Sequence, residues 1–440
     1  MTLVSKSFKF LTTPVDNISL VIFRIIFGFL ITAEAWGAIL TGWVGRTFIE
    51  PAYNFPFISF SFLEPLPGNG MYYYFILMGS AGIFVMIGYK YRYAMITYAL
   101  LWSGAYLMQK TSYNNHYYLL MLLCWIMCLV PANANYSVDA RINENLRSNT
   151  TARWHILIFI VQISVVYFYA SVAKMYPDWI RGMPVRIFFS SKENYFLVGQ
   201  LLQKDWMIYA VSYGGILFDL LIVPGLLWKK TRKLAFGISI FFHLFNSAIF
   251  QVGIFPYLGI AFGIFFFDSD TVRKFFKRKP YKPGQLKLSP MYQKLILSML
   301  GIYFIIQLLL PLRHWFFPGV VHWTEEGHRL SWHMMLRSKS GFVNFRVKTD
   351  SAEWITSPGK YLTAKQSGKI ATHPDMLWQF VQILKDDLEA HGIQNAEIYA
   401  QGKASLNGRQ LQPLYDPDVD MAKIEWEPFR HSSWLLPLED

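Results

Sequence analysis

Apolar residues run almost unbroken through nine stretches of the chain, at about 18–40, 70–88, 92–110, 115–131, 154–173, 207–228, 233–250, 252–267 and 292–311. Uniformly apolar segments of this kind match helices that cross roughly 30 Å of hydrocarbon at about 1.5 Å per residue. Beyond about Arg313 the pattern changes. Polar and apolar residues alternate in FVNFRV, KYLTA and AEIYAQGKASLNGRQLQPLY, the two-residue period of strands. One stretch, MLWQFVQILKDDLEAH at 376–391, has helical spacing instead. SLNGRQ sets Asn407-Gly408 between two strand-like runs, a hairpin signal. The pattern predicts a polytopic α-helical membrane bundle of about nine spans over 1–313. A mostly-β or α+β soluble domain is expected over 314–440.

Composition agrees. Of 440 residues, 53% are hydrophobic and 16% charged, against about 25% charged in globular domains. The net charge is +13, which raises the question of nucleic acid. Yet the basic residues fall in short segments between apolar runs, such as Lys90 and Arg92, Lys229 to Lys233, and Arg273 to Lys282. That is the topogenic pattern, not a basic face, and no nucleic-acid partner is expected. It predicts a cytoplasmic N-terminus and an outer C-terminal domain, periplasmic, extracellular or lumenal. No cleavable signal peptide is evident. Cys124 and Cys128, one turn apart in one apolar run, suggest packing rather than a disulfide or zinc site. Nucleotide-binding glycine loops, HExxH, GxSxG and clustered metal ligands are all missing, so no metal is expected.

Polar groups in or beside an apolar run are expensive and become functional candidates. QKTSYNNHYYLL at 109–120 puts two asparagines before His116, at the start of a helix; a plain turn and cap would explain the asparagines but not the histidine. SVAKMYPDW at 171–179 ends an apolar run on Lys174. That lysine is either an interfacial anchor or, if burial strips its proton, a general base. In FFHLFNSAIFQ at 241–251, His243 and Asn246 share one helix face, as an interhelical tie or a pocket wall. Arg24 and Glu34 lie ten residues apart in the first span. Arg24 is expected to snorkel, and Glu34 needs a partner or a cavity.

These clusters together resemble the vitamin K-dependent γ-glutamyl carboxylase family. KTSYNNHYYL, SVAKMYPDWIRG and FHLFNSAIFQVGIFPY are similar to its membrane segments. SWHMMLRSKS, HPDMLWQF, YDPDVDMAKIEWEPF and SSWLLPL are similar to its outer-domain motifs. The resemblance runs in one order from about residue 15 to 440. It implies an integral membrane enzyme that oxidises reduced vitamin K (a phylloquinol or menaquinol) with O2 and adds CO2 to glutamate γ-carbons of a protein or peptide. By the same resemblance Lys174 is the base that deprotonates the hydroquinone. His116 acts when the carbanion meets CO2. Asn115, Tyr113, His243 and Asn246 bind cofactor or substrate. Animal members continue beyond the point where this chain stops, so a bacterial homologue is expected. Three alternatives remain at this level: a homologue keeping only quinol epoxidation, a non-catalytic quinone- or lipid-binding membrane protein, and a transporter, which would favour inverted repeats that are not evident.

Overall fold

The structure is a computed structural model and describes residues 3–250, 252–282, 284 and 289–439. All nine apolar stretches are helical. They form α1 (Ile18–Leu40), α2 (Gly70–Ile87), α3 (Tyr91–Met108), α4 (Asn115–Leu129), α5 (Trp154–Ala173), α6 (Asp205–Leu227), α7 (Arg232–Phe250), α8 (Phe255–Phe262) and α9 (Pro290–Leu309). Among the described residues, six are long and apolar enough to cross a membrane: α1, α2, α5, α6, α7 and the one beginning with α9. α4 and α8 are apolar but shorter.

α1 and α2 pack closely because small residues let their backbones approach. A Cβ on Gly28 would sit 2.4 Å from the Met86 amide nitrogen, and one on Gly82 would sit 2.5 Å from Thr32 Oγ1. Arg24 does not snorkel. It is fully buried and donates to the carbonyls of Val85, Met86 and Tyr136 at 3.1, 3.0 and 2.7 Å. Val85 and Met86 lie in the last turn of α2, where carbonyls lack full intrahelical pairing.

The C-terminal region is an antiparallel sheet covered by two helices. Strands β1 (Lys339–Lys348), β2 (Glu353–Thr356), β3 (Glu397–Leu406) and β4 (Gln412–Pro413) lie in the order β2-β1-β3-β4. The alternation read from the sequence is the burial pattern: Val343, Phe345 and Val347 on β1 and Ile398, Ala400 and Ala404 on β3 face inward. They meet α11 (Pro374–Ala390), whose Leu377, Phe380, Val381, Leu384 and Leu388 recur at helical spacing. The Phe345 and Phe380 rings meet tilted at 54°, with centroids 5.1 Å apart. KYLTA is not a strand. It is a turn leading to Thr363, which caps α10 (Ala364–Ile370) in a capping box with Gln366. Asn407 and Gly408 do turn the chain between β3 and β4, both with positive φ (51° and 82°).

The two regions are tied by buried polar contacts. Lys110 pairs with Asp375 at 2.6 Å. Gln366 and Gln379 donate to the carbonyls of Tyr53 and Pro56 at 2.6 and 3.0 Å. The sheet domain's core even takes in Phe55 from the loop before α2.

Candidate functional site

Lys174 caps the C-terminus of α5, and Pro177 opens the next turn as the first residue of a short helix. The lysine is 8% exposed, so it is not an interfacial anchor. Nor is its amine alone: Nζ lies 2.5 Å from Asp219 Oδ2, on the middle of α6, and donates to Ala170 O at 3.3 Å. Lys174 is therefore one half of a buried amine–carboxylate pair.

This pair lines an apolar cavity of about 110 Å³, together with Tyr167, Trp179, Phe242, His243, Asn246, Phe255, His116, Met334 and Met335. His243 reaches it because α8 carries Gly259 opposite, where a Cβ would sit 2.4 Å from the imidazole. Its Nε2 meets the Tyr167 hydroxyl at 2.9 Å, while its buried Nδ1 has no partner among the described residues. His243 thus does both: its bond to Tyr167 ties α7 to α5, and with Asn246 it forms a pocket wall.

Asn114 accepts from the Tyr117 amide at 2.8 Å and caps α4, as the turn reading requires. Asn115 does something else. It accepts from the Tyr113 hydroxyl at 2.9 Å and donates to His333 O at 2.8 Å. His116 then points between chambers: its ring stacks on Phe255 at 4.1 Å, and it lines both the apolar cavity and a second one.

That second cavity, about 230 Å³, is cationic. Lys110, Arg329, Arg337, Lys339 and Lys369 line it with Tyr113, Asn115, His328, His333 and His373. Burial pushes the Lys339 amine down to about 7 and Lys369 down to about 8. Burial holds His328, His333 and His373 well below their ordinary range, so they are neutral at pH 7. Burial favours the neutral form of Asp375, but Arg329 and Lys110 outweigh it and hold that carboxyl well below the carboxylate range. Glu325 is engaged by Arg337 Nε at 2.6 Å. A third, open groove of about 300 Å³ shares Lys110 and Arg329 with the cationic chamber.

The wall between the apolar and cationic chambers is the segment SWHMM. Leu330, Trp332 and Met335 in or beside it hold φ of 58°, 60° and 50°, a left-handed backbone that costs a non-glycine residue on the order of 1–2 kcal/mol. Such strain gathers at functional walls that the surroundings over-determine. Trp332, fully buried 5.0 Å from Tyr118, and Asn115 on His333 O hold it.

Glu34 has found a partner and a cavity. Tyr117 and the Ile254 backbone hydrogen-bond its carboxyl, and with His116 it lines a void of about 10 Å³. Glu325, His328 and His373 could together hold a metal ion, but Arg337 and Lys339 already press on the Glu325 carboxylate. The structure thus brings Tyr113, Asn115, His116, Lys174, His243 and Asn246 to one pair of adjoining cavities. Sequence reading passed over Asp219, Tyr167 and the cationic lining. Asp219 carried a signal, as the one carboxylate in ILFDLLIV.

Among known families, residues 12–270 match the HTTM domain. Residues 292–440 match the lumenal domain of vitamin K-dependent gamma-carboxylase. No solved structure matches the chain.

Proposed function

Because the chain belongs to the vitamin K-dependent γ-carboxylase family, with an HTTM domain followed by that family's lumenal domain, we propose that it is an integral membrane carboxylase. It couples oxidation of reduced vitamin K or a menaquinol by O2 to addition of CO2 at glutamate γ-carbons of a protein or peptide, giving γ-carboxyglutamate. In this reading the nine helices span the membrane with the N-terminus cytoplasmic, and the sheet domain lies outside.

The observation that carries the reading is the pair of adjoining chambers. A glutamate γ-C–H is too weak an acid for any side chain, so the quinol and O2 must supply the stronger base. The apolar chamber fits a flat apolar quinol: aromatic walls, and polar atoms at Lys174 Nζ, Asn246 and the unpartnered His243 Nδ1 to orient it. The Lys174–Asp219 unit takes up the hydroquinone proton. Lys174 is the base of that unit, and the ammonium formed on it balances the negative charge left in the chamber. The cationic chamber holds the glutamate carboxylate through Lys369, Lys339 and Arg337. His116 stands between them, where the carbanion meets CO2, and the strained SWHMM wall keeps water from crossing. The open groove takes the peptide on either side of the glutamate.

The test uses purified protein in nanodiscs with reduced vitamin K, labelled bicarbonate and a glutamyl peptide. Label in γ-carboxyglutamate, with quinone epoxide formed alongside, is expected. Absence of both products would sink the reading, and epoxide alone would reduce it to quinol epoxidation. The 2.5 Å Lys174–Asp219 contact also supports a second reading, a non-catalytic quinone-binding protein, because a buried ion pair can join two helices without doing chemistry. In that case Lys174→Ala leaves quinone binding and host phenotype unchanged.

A further inference from the structure

The turn that follows Lys174 is gripped from the outer domain. Asp178 lies four residues on, in the short helix Pro177–Ile180. Its carboxylate accepts from Arg409 Nη1 at 2.6 Å, Arg409 Nη2 at 2.9 Å and Asn407 Nδ2 at 2.8 Å. Those donors sit 231 and 229 residues away, at the tip of the β3–β4 hairpin. A bidentate guanidinium fork admits one orientation of the carboxylate, which a point charge would not.

Both ends of this grip are themselves fixed. Asn407 is fully buried with φ 51°; its amide donates to Ser338 O at 2.8 Å and its Oδ1 accepts from the Ser338 amide at 2.9 Å. On the other side, Tyr176, between Lys174 and Asp178, donates its hydroxyl to Leu336 O. Trp179 donates to Ser212 O on α6 at 2.9 Å, with its ring 5.7 Å from Lys174 Nζ. The residues flanking the base are thus tied to α6, which also carries Asp219, and to the outer domain. Arg409 and Asp178 line none of the three cavities.

We infer that Asp178, Arg409 and Asn407 are positioning residues for Lys174. The hairpin tip of the outer domain holds the base against Asp219 and the apolar chamber, so the domain that supplies the cationic lining also sets where the base stands. An ordinary interdomain ion pair would add a little stability and leave the amine alone. Here the grip is four residues from the amine, on the only turn between it and Trp179. The kinetic consequence rests on the functional reading above; the geometric one does not.

Two measurements on the full-length protein separate the possibilities. The first is quinol oxidation, with kcat and KM for the quinol, in Arg409→Gln, Arg409→Lys and Asn407→Gly. The glycine keeps the left-handed backbone without strain and removes the amide. The second is the rate at which acetic anhydride labels Lys174, read by mass spectrometry, with exposed Lys229 and Lys423 as internal references. Arg409→Gln is expected to lower kcat about tenfold with the quinol KM within about twofold, the signature of a misplaced group rather than a lost contact. Arg409→Lys, which keeps the charge but not the fork, should recover only part of that loss, and Lys174 labelling should change several-fold in the same order. If Arg409→Gln fails to fold, the lysine and glycine variants carry the test. Wild-type Lys174 labelling in all the folded variants overturns the positioning role, whatever the kinetics. A wild-type protein that oxidises no quinol while its variants change Lys174 labelling overturns the functional reading and leaves the positioning role standing.

Discussion

Two chambers meet at His116, and they hold their lysines in opposite ways. In the apolar chamber one lysine has its own carboxylate: Lys174 lies 2.5 Å from Asp219, both nearly sealed from solvent. In the cationic chamber five cations (Lys110, Arg329, Arg337, Lys339 and Lys369) face inward, backed by the carboxylates of Glu325 and Asp375. The Lys369 amine there makes no hydrogen bond or close ion pair among the described residues. A buried lysine that already has its counter-ion offers little to a passing anion, but the pair can take up one more proton. A buried lysine without one attracts an anion and is a poor place to store a proton. Under the proposed function, that difference puts proton chemistry on one side of His116 and carboxylate binding on the other.

The hardest way to break that division is to remove the base. Lys174→Ala is expected to lower both epoxide and carboxylated product on the order of 10³-fold, within the range for loss of a general base. Removing one partner of a buried pair also strands Asp219, at about 3–5 kcal/mol. Lys174→Met with Asp219→Leu fills the site with apolar atoms and should restore the melting temperature without restoring activity. Activity at wild-type level in either variant would remove proton chemistry from this chamber.

His116 lies on the border, so its loss should divide the two products. His116→Ala is expected to cut carboxylation about 100-fold and epoxide formation less than about tenfold, because only the former needs a group where the carbanion forms. Equal losses, measured in one reaction mixture, would place His116 wholly on the apolar side. On the cationic side, Lys369→Gln is expected to raise KM for the glutamyl peptide about tenfold through loss of one charge-assisted contact. KM for the quinol should stay put. A change in the quinol KM instead would merge the two chambers into one site.

Much of this arrangement was legible before any coordinates, and what was not has physical reasons. Every apolar stretch became a helix, since hydropathy over some twenty residues decides that alone. Helix ends were less readable because caps decide them: the third stretch stops at Met108, Gln109 leaves the helix at φ −145°, and Lys110 is freed to meet Asp375. Lys174, His116 and His243 stood out as polar groups in apolar runs. Asp219 obeyed the same rule and was passed over. Lys110 and Lys339 lie in the quoted motifs but nothing local sets them apart, and Lys369 lies outside them; only tertiary packing brings the three to one cavity. The left-handed Leu330, Trp332 and Met335 were equally silent, because no glycine marks them.

The smallest expected effect is on pH, and it tests the division without a mutation. Burial holds Lys339 at about 7 and Lys369 at about 8. Glu325 pulls both upward, and Arg337 pushes both down. Arg329 and Lys365 push Lys369 down further, and Lys369 pushes Lys339 down. Below pH 7 both amines are ammonium and the chamber attracts a carboxylate; as pH rises through 7 and then 8 they lose their protons and that attraction fades. A bound carboxylate favours the ammonium forms, so the fall with pH is set by the free protein. KM for the glutamyl peptide is therefore expected to rise about three- to tenfold between about pH 6.5 and 8.5. The quinol KM should not follow, since its chamber carries no such unpaired lysine. Lys369→Gln should flatten the upper part of the rise and leave the part near pH 7 to Lys339. A peptide KM that stays flat across this range in the wild type would mean that the lysines of the cationic chamber do not hold the glutamate.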